Sequence, residues 1–249
     1  MTTADKPTPA RTRRGADRRR EIVDAARRAF AERGYDGASM ADIAATVGIV
    51  EGAVYKHFPS KRALLYESIR SVYEPLIAET RDQLAGVRGT RNRLRFAIWR
   101  QLAGYKHAPE LCRLIIEEVR PRSDYRDSVV GELNREMTSI VRSIIEEGIA
   151  RGELRADVSP ALVRDVVHGG SEHLAWKALC GQDAGGHALD VDGLADELTE
   201  FVWRGAAVSP SDAGGDAIDR LENRVARLEG ALEPTAPRGA DDDRRGERP

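Results

Sequence analysis

The sequence is short of cysteine and of any long apolar run, and each shortage excludes a class. Its two cysteines, Cys112 and Cys180, are far apart in apolar helical patterns. That excludes a disulfide framework and fits two buried, reduced thiols. No apolar stretch approaches the roughly 18 residues of a membrane-spanning helix. The basic N-terminus is not followed by the apolar segment of a secretory signal. A cytoplasmic location with no membrane partner is therefore expected. Strand-like alternation of apolar and polar residues is missing, so the expected fold class is all-α. The pieces of common catalytic sites are missing too: no nucleophile elbow, no phosphate loop, no paired-cysteine site. His168, Glu172 and His173 cluster on one predicted helix. His168 and Glu172 stand at i, i+4 while His173 turns away, which is not the two-histidine geometry of a zinc site. No catalytic residue, metal or cofactor is expected.

Strong net charge is also lacking, at −2, but its distribution is uneven. Residues 1–70 carry 14 Lys+Arg against 9 Asp+Glu, a net of +5; subtracting these from totals of 39 and 41 leaves 25 basic and 32 acidic residues, a net of −7. A basic first quarter on an acidic remainder fits nucleic-acid contact confined to one end. With 41% hydrophobic residues over 249, the chain can bury a sizeable core in one or two domains.

Residues 39–65, SMADIAATVGIVEGAVYKHFPSKRALL, organise the rest. Ser39 is an N-cap with Asp42 three residues on, a capping-box spacing, and is also a candidate DNA contact. Ile43 and Val47 lie on one helical face, and Gly48 stops that helix. After a turn through Ile49 and Val50, a second short helix covers about 51–58 and ends at Pro59. Ser60 caps the next helix. Two short helices across a glycine-containing turn predict a helix-turn-helix, whose second helix enters the DNA major groove. Glu51, Gly52, Ala53 and Val54 begin that second helix. Ala53 and Val54 are small enough to let the backbone approach bases, and Tyr55, Lys56 and His57 can donate to phosphates. Lys61 stands at the next helix N-terminus, where backbone N–H groups favour anions.

The residues Ile43-Ala44, Val47-Gly48-Ile49, Gly52, Tyr55, His57-Phe58, Lys61 and Leu64-Leu65 together resemble the DNA-binding domain of the TetR family of bacterial transcription regulators. One departure stands out. The family usually has Ser or Thr where this chain has Val50, capping the recognition helix and touching phosphate. Val50 can do neither, and Glu51 compensates in part as a carboxylate at a helix N-terminus.

In chain order, residues 1–16 read as a disordered basic arm. Its Arg11, Arg13 and Arg14 either enter the minor groove or add only general attraction. Residues 17–70 form the DNA-binding domain, whose first helix runs from Asp17 to about Arg33. Residues 71–207 form a helical domain. A long helix from Ser60 to about Val87 connects the two and contains Pro75, read either as a kink or as a boundary between helices. Residues 208–216 read as a linker. From 217 to 233 a heptad stripe, with Ile218, Val225 and Leu232 at a and Leu221 and Leu228 at d, predicts a short coiled-coil helix. It either pairs with its copy or lies on its own bundle. Residues 234–249 read as a disordered tail.

The resemblance implies two further sites. The helices of residues 90–151 would enclose a small-molecule ligand, with Phe96, Trp99, Tyr105, Cys112, Ile116, Arg120 and Tyr125 as candidate contacts; each of these also fits plain core. Arg95, Arg113 and Arg120 either neutralise an anionic ligand or are ordinary surface arginines. The last two helices would form a homodimer through Val166, Gly170, Leu174, Leu194, Leu198 and Phe201, with higher order possible through 218–232. Gly169 and Gly170 in mid-helix each cost roughly 1 kcal/mol, which close approach of another helix would offset. The expected function is a ligand-responsive regulator, most simply a repressor that leaves a pseudo-palindromic double-stranded DNA operator when a small molecule binds. The rival is an architectural protein that assembles partners and binds DNA without sequence preference.

Overall fold

The structure, a computed structural model, describes residues 9–179 and 189–208, with side chains for 15–176 and 189–208. The expected 208–216 linker, apart from Val208, the 217–233 helix, Cys180 and the 234–249 tail lie outside the described residues. Among the described residues every regular element is a helix. They are α1 (Pro9–Gly37), α2 (Met40–Thr46), α3 (Glu51–His57), α4 (Lys61–Ala85), α5 (Thr90–His107), α6 (Pro109–Leu114), α7 (Val129–Ala150), α8 (Pro160–Leu179) and α9 (Val191–Ala206).

Two details differ from expectation. The first helix begins at Pro9, inside the stretch read as an arm, because proline suits the first helical position and nothing from Ala10 to Asp17 breaks the helix. It is broken at Gly34, where φ is +71°. Helix α4 is continuous through Pro75, so Pro75 marks no boundary between helices. The proline ring is exposed. Beyond it, the inward side is carried by Ile77, Thr80 and Leu84, while Val72 and Leu76 are only half-buried.

Apolar side chains gather in two cores. The first joins Ile22, Ala26 and Phe30 of α1, Ile43 of α2, Val54 of α3 and Leu64, Leu65 and Ile69 of α4. It also takes in Leu114, Ile115, Val119 and Val130 from beyond residue 70. The second joins Leu94, Ile98 and Leu102 of α5, Ile140, Val141, Ile144 and Ile145 of α7, and Ala195 and Val202 of α9.

The crossing into the first core is made by an irregular segment. Directly after α6, residues Ile115–Val119 form one turn of π-helix, closed by Arg120 N donating to the Ile115 carbonyl at 2.9 Å. A π turn holds an extra residue and so rotates the chain beyond it. Ile115 and Val119 are buried against the DNA-binding helices, and Arg120 comes next on a different face. A short 3-10 turn, Tyr125–Asp127, and the Ser128 cap then lead into α7.

Candidate DNA-binding and effector sites

The helix-turn-helix is held from several sides. Ser39 Oγ accepts from Asp42 N at 3.0 Å. The Asp42 carboxylate turns to Arg33 of α1 at 2.9 Å rather than back to the cap. In the turn, Gly48 takes φ +67° and Ile49 N donates to the Ala44 carbonyl. Arg18 donates to the Val47 carbonyl at 3.1 Å and pairs with Glu21, and Arg19 lies over the Phe58 ring and pairs with Glu67. These arginines of α1 are thus engaged in bracing the motif.

Helix α3 has two sharply different sides. Val54 and Phe58, at i and i+4, are buried in the first core, Val54 with 0% exposure. This corrects the reading of Val54 as a base-contacting residue: its side chain holds α3 down. Glu51, Gly52, Tyr55 and Lys56 face outward, with Ala53 and His57 half-buried at the flanks. A Cβ at Gly52 would meet open space. Val50 occupies the N-cap with no side-chain cap and is 76% exposed, consistent with the missing hydroxyl. Lys61 is engaged: its ammonium donates to the Asp36 carbonyl at 3.3 Å and sits 4.5 Å from the centre of the Tyr35 ring.

The second candidate site is a cavity of about 110 Å3 inside the bundle, walled by α4, α5, α6, the segment after the π turn, α7 and α8. Of the ligand candidates, Tyr105, Cys112 and Arg120 line it. Phe96 and Trp99 do not; they stack on each other at 6.1 Å and pack against the second core. Ile116 is half-buried and not on its wall. Tyr125 lines a separate outer cleft and packs on the first core. These four are corrected as wall residues. They share an aromatic or aliphatic character with the true walls, and apolar pattern alone does not say which core a side chain joins.

Residues that the sequence did not single out for this role complete the wall: Tyr73 and Leu76 of α4, Gln101 of α5 and His168 of α8. A polar residue inside a predicted apolar stripe was the available signal. Burial governs their chemistry. It pushes the Cys112 thiol and the Tyr105 hydroxyl up to about 12, and raises Tyr73 further. It pulls His168 down to about 4, against a hydrogen bond with the Thr138 backbone that favours the charged ring. These groups are neutral near pH 7. Two arginines on the wall are matched by carboxylates: Arg120 bonds Glu172 at 2.5 Å and Arg100 bonds Glu79 at 2.9 Å. Glu172 is therefore a partner of Arg120, and no group of three His, Cys, Asp or Glu among the described residues is placed to hold a metal.

A third surface is apolar and open. Leu162 (62% exposed), Val166 and Leu174 follow one another along α8, and Phe201 of α9 is 69% exposed. Leu194 and Leu198 are half-buried. Leu162 was missed, although it stands four residues before Val166. A Cβ at Gly169 would meet nothing, and one at Gly170 only Leu198 Cδ2 at 3.8 Å. Packing within the described chain therefore does not require either glycine. Arg95, weighed as an anion-binding group, pairs instead with Asp196 and Asp192 across α5 and α9.

Comparison with known proteins bears on these sites. Residues 22–67 match the family model described as bacterial regulatory proteins, tetR family, and residues 88–175 match that of a tetracyclin repressor-like C-terminal domain. The chain is 28% identical over 207 residues to the HTH-type transcriptional repressor KstR2 of Rhodococcus jostii, covering 81% of this chain and 97% of that one. In fold it is similar to the transcriptional regulator FadR from Bacillus subtilis, solved with stearoyl-CoA, at a TM-score of 0.65 and 21% identity, over 75% of this chain and 98% of that one. It is likewise similar to KstR2 of Mycobacterium tuberculosis, described as a ketosteroid transcriptional regulator, at a TM-score of 0.56 and 22% identity, over 77% and 96%.

Proposed function

The chain belongs to the TetR family of bacterial regulatory proteins, and on that premise we propose that it is a transcription repressor released from its operator by a small molecule bound in the bundle cavity. The observation that carries the coupling is Arg120. It lines the cavity, and it directly follows the π turn whose Ile115 and Val119 are buried among the DNA-binding helices. A ligand that displaces Arg120 or parts the walls shifts a segment of the DNA-binding core itself. That is a coupling between two sites carried by one continuous element.

Size gives the coupling its force. Sites for drug-sized ligands run to about 300–1,000 Å3, against about 110 Å3 here. A fatty acyl ligand of the kind held by FadR would have to push α4, α5 and α8 apart. The ligand then favours an expanded bundle over the compact one, and the population shifts toward it.

Two copies joined through the exposed α8 and α9 faces would present two α3 helices to successive major grooves, hence a pseudo-palindromic operator. Gly52, Tyr55 and Lys56 are the groups that would meet DNA, flanked by Val50, Glu51, Ala53 and His57. The protein would act in the cytoplasm; no described helix is long and apolar enough to cross a membrane. Recovery of bound fragments from genomic DNA tests the reading. A shared pseudo-palindrome is expected, with Lys56→Ala weakening all sequences alike and reducing the salt dependence by about one counterion per half-site. A fragment pool with no common motif would overturn the reading in favour of the architectural one.

A further inference from the structure

The cavity wall carries two polar atoms with no partner among the described residues, Gln101 Oε1 and His168 Nε2. Their neighbours on the same groups are engaged. Gln101 Nε2 donates to Tyr105 Oη at 3.3 Å and to the His168 carbonyl at 3.4 Å. The His168 ring is neutral, and the Thr138 backbone bond that favours its charged form is one in which the ring donates. A neutral imidazole has one donor and one acceptor nitrogen, so Nε2 is left as the acceptor. Both orphans are acceptors. A buried acceptor without a donor is costly, and water or ligand must supply what the protein does not.

The positive charges on the wall point the same way. Arg120 and Arg100 are each bound to a carboxylate, Glu172 and Glu79. An anionic ligand end would have to displace one of those carboxylates, and would leave Gln101 Oε1 and His168 Nε2 facing a further acceptor. Resting on the reading of this cavity as the effector site, we propose that it selects a neutral apolar ligand bearing a hydroxyl or N–H donor and rejects a carboxylate at that end.

The test uses the full chain and three probes of one ring size: cyclohexanol, cyclohexanone and cyclohexanecarboxylate. A cavity of about 150 Å3 accepts a single six-membered ring, so the rings are close to the space present. Binding is read by melting temperature and by the nitrogen chemical shift of the His168 ring. Cyclohexanol is expected to raise the melting temperature, move the Nε2 signal and bind about tenfold more tightly than the ketone, with the carboxylate weakest. In a Gln101→Leu/His168→Leu variant the alcohol should lose its advantage over the ketone while both still bind. Gln101→Leu alone serves if the double variant does not fold, and should reduce the advantage. A carboxylate that binds as tightly as the alcohol, an alcohol preference that survives in the variants, or no binding by any probe would each overturn the proposal. Operator retention, followed alongside, separates the two readings: alcohol preference without release supports the ligand chemistry and removes only the effector role.

Discussion

The two cores of this protein are built from similar residues and serve different ends. The bundle core is assembled from long helices that pack along their length, with Leu94, Ile98 and Leu102 of α5 fully buried. The DNA-binding core sets two short helices, α2 and α3 of seven residues each, against the long α1 and α4. Helices as short as α2 and α3 do not persist alone, so they depend on neighbours. Part of what they pack on comes from beyond residue 70, as Leu114, Ile115, Val119 and Val130. The DNA-binding core is thus completed by residues that adjoin Leu111, Cys112 and Arg120 of the bundle cavity wall.

The largest effects should come from testing whether the cores unfold together. Leu64→Ala in the first core and Leu102→Ala in the second remove fully buried leucines, and each should cost about 2–5 kcal/mol. All three tryptophans, Trp99, Trp176 and Trp203, lie on α5, α8 and α9, so their fluorescence reports the bundle alone. Because the first core borrows from beyond residue 70, the Leu64→Ala melt should be the same by fluorescence and by circular dichroism. Two separated transitions would break the comparison and make the cores independent.

Next in size is a pH effect confined to the bundle. His168 falls from an unfolded value of 6.5 to about 4 in the folded state. Below pH 6.5 the unfolded chain therefore binds a proton that the folded chain refuses. Stability should be flat above that pH and fall by up to roughly 3 kcal/mol between 6.5 and 4. His168→Gln should flatten this window when urea midpoints are compared across pH. The carboxylates of Glu147, Glu153 and Glu200, held below their usual range chiefly by arginine hydrogen bonds, lose their contribution only further down, below about pH 4.5.

A smaller effect belongs to the DNA-binding side. Val50 is 76% exposed at an uncapped N-cap, so Val50→Ser gains a cap and gives up no packing. A gain of about 0.5–2 kcal/mol is expected, read as a higher denaturation midpoint. A loss would mean that Val50 contributes packing at this turn. Smallest of all, Arg95→Ala breaks bonds to Asp196 and Asp192 at an exposed site. It should change stability by less than about 1 kcal/mol and leave cyclohexanol binding unchanged, since Arg95 is not on the cavity wall.

The all-α fold and the helix-turn-helix were legible in the sequence because their signals are local. A cap at Ser39, a left-handed glycine at Gly48, a proline after Phe58 and an i, i+4 apolar spacing each act within one turn of chain. The resemblance to the TetR family rested on the same short-range residues. Local spacing did not say which side of α3 faced out. Val54 is small and lies in the recognition helix, yet it is four residues from Phe58 and shares its buried side.

Tertiary structure alone decided the cavity. Its walls come from α4, α5, α6, α7, α8 and Arg120 after the π turn, so no window of sequence contains them. Phe96 and Trp99 read as ligand contacts for the same reason that Tyr105 did, and packing sent them to another core. The neutrality of His168 and the pairing of Arg120 with Glu172 are consequences of burial and of groups distant in the chain. The sequence by itself determined which elements form, since helix geometry is set over a few residues. Which side chains meet across those elements, and which polar atoms are left without a partner, was fixed only when the helices packed.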